Sequence, residues 1–98
     1  MASVDATSQN RAIITVLGSD RAGIVAAVAG ALAAHDVNIL DISQTILQGI
    51  FTMTMLVDLA ASDDDFALVA GELDELSRRL GVQISMQRED VFRFMYRL

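Results

Sequence analysis

RAIITVLGSDRAGI, residues 11–24, passes from one hydrophobic period to another across two glycines. Arg11–Leu17 is β-branched and apolar on both alternating faces. Ala12, Ile14 and Val16 share one side; Ile13, Thr15 and Leu17 share the other. Apolar residues on both sides predict a central strand. Gly18-Ser19-Asp20 is a turn cluster. Arg21–His35 then carries Ile24, Val25, Val28 and Leu32 at helical spacing, with Ser19 or Asp20 as the expected N-cap and Asp36 as the stop. Ala26, Ala27, Gly30, Ala31 and Ala34 are small enough for this helix to lie close on a sheet.

Working outward, Val37–Leu47 predicts a long strand. Ile39 and Ile42 are three apart, which calls for a β-bulge near Leu40-Asp41. Gln48-Gly49 is a short turn, and Ile50–Leu59 alternates cleanly, so the two strands form a hairpin. Ser62-Asp63-Asp64-Asp65 has the form of a capping box with acids at the positive end of a helix. Phe66, Val69, Leu73, Leu76 and Leu80 mark that helix's apolar face, and Gly81 suits its end. Val82–Gln87 alternates with Val82, Ile84 and Met86 inward. Glu89–Arg97 predicts a short last helix with Val91, Phe92 and Met95 on one face.

The order βαββαβ predicts an α+β, ferredoxin-like sandwich: a four-stranded antiparallel sheet in the order 4-1-3-2, two helices on one face and a short C-terminal helix. Residues 1–10 are small and polar and read as a disordered extension; residues 11–98 read as a single domain.

Composition narrows the function. The 98 residues are 53% hydrophobic, enough for a packed core. Seven Arg, no Lys and thirteen acids give a net charge of −6. That argues against nucleic acid and anionic membranes as partners. No apolar run reaches the roughly 18 residues of a membrane helix. Residues 1–10 lack the pattern of a signal peptide, so a cytoplasmic location is expected. Without Cys or Lys there is no thiol nucleophile, zinc-thiolate site or Schiff base. A binding or regulatory domain without catalytic residues, metal or cofactor is therefore expected.

The sheet face away from the helices would show Ile13, Leu17 and Leu56 among Thr15, Thr52, Thr54, Gln83, Ser85 and Gln87. It can face water, the last helix or another subunit. The second strand would be an apolar edge without Pro or Lys to blunt it. A homodimer, or a higher homo-oligomer, through that strand, the first helix or both is expected.

Residues 18–24 hold the chemistry. The glycines allow close backbone approach, and amides at a helix N-terminus hold a carboxylate. Asn38 offers a donor and an acceptor. Together they suit a zwitterion, although glycines and a capping Asp also serve merely to turn a chain. GSDRAGI after a Val/Ile-rich strand, then VNI at 37–39 and DISQT at 41–45, resembles the ACT domain. Residues 12–98 are similar to the small, stand-alone members of that family (UPF0237-like), through RAIITV at 11–16, FTM at 51–53, Val91-Phe92 and Met95-Tyr96.

The resemblance implies a regulatory module that binds an amino acid or other small ligand between two side-by-side subunits. Carried over by position, Gly18, Asp20, Arg21, Ala22, Gly23 and Ile24 form the loop side of the site. Asn38 and Ile39 come from the neighbouring subunit. Asp20, where some amino-acid-binding members carry Asn, meets a ligand ammonium or caps the helix. Most known members are fused to the enzyme they regulate. A free-standing chain implies an unidentified metabolic enzyme or regulator as partner.

Other readings compete. A protein-interaction or transcription-accessory module would need no ligand. An acylphosphatase-like hydrolase would set Arg21 and Asn38 on one phosphate, where Asp20 would repel it. His35 reads as a helix-end residue, not a metal ligand. Asp63–Asp65 reads as dipole complementation, and Met53 and Met55 as core fillers. Arg88, Arg93 and Arg97 read as solvated or paired with Glu89 and Asp90.

Overall fold

The computed structural model describes residues 10–19, 23–62 and 65–95, with residues 94 and 95 described by backbone alone. The elements are β1 (Arg11–Ser19), α1 (Ile24–Ala34), β2 (Asn38–Leu47), β3 (Ile50–Asp58), α2 (Phe66–Leu80), β4 (Gln83–Arg88) and α3 (Glu89–Met95). The sheet is antiparallel in the order β2-β3-β1-β4, the expected ferredoxin-like arrangement. No helix among the described residues is long and apolar enough to cross a membrane.

Alternation sorts the strands as read. Ala12, Ile14 and Val16 of β1 and Phe51, Met53, Met55 and Val57 of β3 are buried under the helices. Ile24, Val28 and Leu32 of α1 and Val69, Leu73 and Leu76 of α2 close over them. The small residues of α1 divide: Ala27 and Ala31 pack on the core, whereas Ala26, Gly30 and Ala34 are exposed. Gly30 has open space where a Cβ would stand, so close packing does not require it.

The β2–β3 register slips between Ile39 and Asp41, leaving Leu40 as the bulged residue. Gln48 (φ 51°) and Gly49 (φ 84°) form the hairpin turn. Its left-handed pair matches the twist of the flanking strands.

Both helix starts differ from the expectation. Ser19 cannot cap α1, because it is still in β1, paired with Ile50. The N-cap is Gly23. For α2 the cap is Asp65, whose Oδ1 accepts a hydrogen bond from the Leu68 amide at 2.9 Å. Ser62 is turned back by its amide donating to Leu59 O at 3.0 Å. Gly81 ends α2 at φ 71°, and the Ser77 hydroxyl donates to Val82 O. His35 is the C-cap of α1, and its ring lies 3.6 Å from Glu72 of α2.

α3 lies across β1 and β4 on the face away from the other helices, and Ile13 beneath it is only 9% exposed. Its expected apolar face is partly overturned. Val91 is exposed and Phe92 half-buried, while the Met95 side chain, Tyr96 and Arg97 lie outside the described residues. The residue that anchors α3 is Glu89, 4% exposed. Its Oε2 accepts from Arg11 Nη2 at 3.2 Å and from Arg93 Nε and Nη2 at 3.1 and 2.8 Å. Arg88, at the end of β4, sets its guanidinium 4.7 Å over the Phe66 ring.

Candidate functional site

β1 carries the loop to one end of the sheet. Gly18 stands in the row of Phe51 and Ile46. A Cβ on Gly18 would come 2.7 Å from Val82 Cγ1 and 3.0 Å from Val82 Cβ. Packing against the start of β4 is thus reason enough for this glycine. Gly18→Ala should cost about 1–3 kcal/mol in urea unfolding, because a β-branched neighbour cannot swing aside. A loss under about 0.5 kcal/mol would show that Val82 yields.

Asp20, Arg21 and Ala22 lie outside the described residues. Gly23 holds φ 90° and ψ −8°, a left-handed conformation that costs glycine nothing. Its carbonyl accepts from the Ala27 amide at 2.8 Å. Among the described residues no side chain caps α1, and its first turn holds no acid. First-turn amides without a capping side chain are donors for an anion, and the helix dipole adds to their pull. The Ile24 side chain is buried in the core, so what it can offer a ligand is its backbone.

The strand residues stand elsewhere. Asn38 is exposed and paired with Asp58, whose other neighbour in the row is Arg11. Ile39, half-buried, pairs with Val57 on the helix side. Seven residues of β1 separate the row of Arg11 from that of Gly18, about 24 Å at the rise of a strand. Within one chain the loop and Asn38 are therefore at opposite ends of the sheet. Gly18, Gly23 and Ile24 share one end; Asn38 and Ile39 share the other.

β2 is an open edge, exposed from Leu40 to Leu47. On its helix side Ile42 and Ile46, in register with Met55 and Phe51, are uncovered by either helix. The opposite edge offers a cleft of about 370 Å³ lined by Thr15, Leu17, Ser77, Gln83, Ile84 and Ser85, all uncharged. Periodicity alone had given no sign of it. Arg78 is engaged elsewhere, bonded to Asp74 at 2.7 Å and Glu75 at 2.8 Å. The hydrogen bonds it donates to Glu75 and Asp74 raise its pKa above the ordinary arginine value. Among the described residues no group of three His, Asp or Glu side chains is placed to hold a metal ion.

Comparison with known proteins agrees with this architecture. A "UPF0237 protein" of Methanosarcina acetivorans is 50% identical over 91 residues, covering 93% of this chain and 99% of that one. Another from Clostridium acetobutylicum is 52% identical over 88 residues, 90% of this chain and 99% of its own. Among solved structures, an ACT domain protein from Streptococcus pneumoniae superposes with a TM-score of 0.73 at 41% identity. That match covers 84% of this chain and 92% of the other. The family model described as the ACT domain matches residues 10–87, from the start of β1 through β4. The antiparallel four-stranded sheet with its two covering helices is thus shared with a known regulatory fold, and the chain belongs to the ACT domain family.

Proposed function

We propose that this protein is a non-catalytic regulatory module that binds a small zwitterion, an amino acid in the simplest case, as a homodimer. The ligand carboxylate would meet the first-turn amides of α1 in one copy. Asn38 and Ile39 of the other copy would close the site, with Asp20 available to the ammonium. One observation carries this reading: the loop and Asn38 stand about 24 Å apart in a single chain, so only a second copy can unite them.

β2 supplies the means. Nine of its residues pair with β3, and Ser43 is the fifth. A two-fold axis through Ser43 sets Leu47 of one copy opposite Asn38 of the other. It also turns the open β2 edge into a ladder and covers Ile42 and Ile46. Hydrolysis of the acylphosphatase kind would need Arg21 and Asn38 on one anionic phosphate, which the carboxylate of Asp20 would repel, and this favours binding over turnover.

The test is a thermal-shift screen of the twenty amino acids. A ligand at a hundredfold excess over its Kd should add about 2.7 kcal/mol of stability. Asn38→Ala should abolish that response and leave the unliganded midpoint in place, because Asn38 is exposed. A hit that survives Asn38→Ala would move the site elsewhere. A screen in which no amino acid shifts the midpoint would favour a ligand-free interaction module.

A further inference from the structure

The sheet face away from α1 and α2 is not uniform. At one end α3 covers it. At the other, Leu17 is 40% exposed, Ile50 53% and Leu47 68%. Register makes these three neighbours: Leu47 pairs with Ile50, and Leu17 lies one row below on β1. The tight turn at Gln48-Gly49 fixes the first two side by side. Beneath them run the pairs Thr45–Thr52 and Thr15–Thr54. No charged side chain stands in these rows on any of the four strands. Side-by-side pairing at β2 extends the sheet in its own plane and leaves this patch bare.

An uncharged patch on a chain of net charge −6 is where further copies meet with least repulsion. We propose that it stacks two side-by-side pairs face to face into a tetramer, an inference that rests on the pairing through β2. Area sets the order of assembly. Strands about 4.8 Å apart and three rows about 6.8 Å apart, the outermost row without β4, give roughly 350 Å² per chain. Two single chains would bury roughly 700 Å² in total, below what a lasting interface needs; two pairs bury roughly 1,400 Å², within the standard range. Stacking therefore follows pairing.

Sedimentation equilibrium of the full chain, from low to high micromolar concentration, tests this. The wild type should pass from dimer to tetramer. Ile50→Lys, and Ile50→Ser as the milder change, should stop at the dimer with an unchanged circular dichroism spectrum. Ile46→Lys, on the β2 edge, should give monomers and no stacked dimers. A wild type that stays dimeric overturns the stacking and leaves the pairing intact; a monomeric wild type overturns both. Tetramers that persist in both Ile50 variants, or dimers in Ile46→Lys, also overturn it.

Discussion

The Glu89→Ala variant is expected to lose about 3 kcal/mol of stability, the scale for removing one partner of a buried ion pair. In a domain of this size that lowers the thermal midpoint by roughly 15 °C. The Glu89 carboxylate is the only buried charge among the described side chains, and it receives donors from β1 and α3 at once. Without it, the largely buried Arg11 side chain loses its carboxylate partner, and α3 loses the ion pair that ties it to β1. Seven residues are too few to stay helical alone, so α3 depends on docking.

Arg93→Ala should cost under about 1 kcal/mol, because the Arg93 head is mostly exposed and solvent weakens its pair. The double variant Arg11→Met with Glu89→Leu should recover most of the loss, since well-packed apolar replacements of a buried pair are often neutral. Two buried atoms, Arg11 Nε and Glu89 Oε1, have no hydrogen-bond partner among the described residues, which makes the native pair less than optimal and the recovery larger. Urea unfolding of the wild type, Arg11→Met, Glu89→Leu and their double variant completes a double-mutant cycle. A Glu89→Ala loss below about 0.5 kcal/mol would mean that the cluster holds nothing.

That cluster also marks where sequence reading stops. The strand order, the hairpin, the Leu40 bulge and the buried faces follow from period and turn chemistry, which act within a few residues. Glu89 looks from the sequence like an acid leading a helix. Its pairing with Arg93 was legible at i+4, but its other partner, Arg11, is 78 positions away, and no local pattern links them. The helix caps failed for a related reason. Ser19 has the right chemistry for a cap, but its pairing with Ile50 extends β1 past the turn and moves the start of α1 to Gly23. Ser62 lost to Asp65 because a chain reversal at Leu59 came first. The candidate site was legible as residue types, not as a place. Its described loop residues and its asparagine occupy opposite ends of one sheet, and in the function proposed above a second copy is what brings them together.

Mixing two silent variants is expected to restore ligand binding. In Asp20→Ala every site lacks its loop acid; in Asn38→Ala every site lacks its strand amide. If each site takes one residue from each copy, a mixed dimer has one intact site and one doubly broken site. Random exchange makes half of the dimers mixed, so about a quarter of the wild-type sites return. Isothermal titration with the amino acid identified by thermal shift should therefore give a stoichiometry near a quarter of the wild-type value, at wild-type affinity. A site built within one chain predicts no recovery at all, because every chain in the mixture carries a defect. Adding Ile46→Lys to both variants should abolish the recovery by keeping the chains apart. Recovery that survives that change would place the exchange of residues at some surface other than β2.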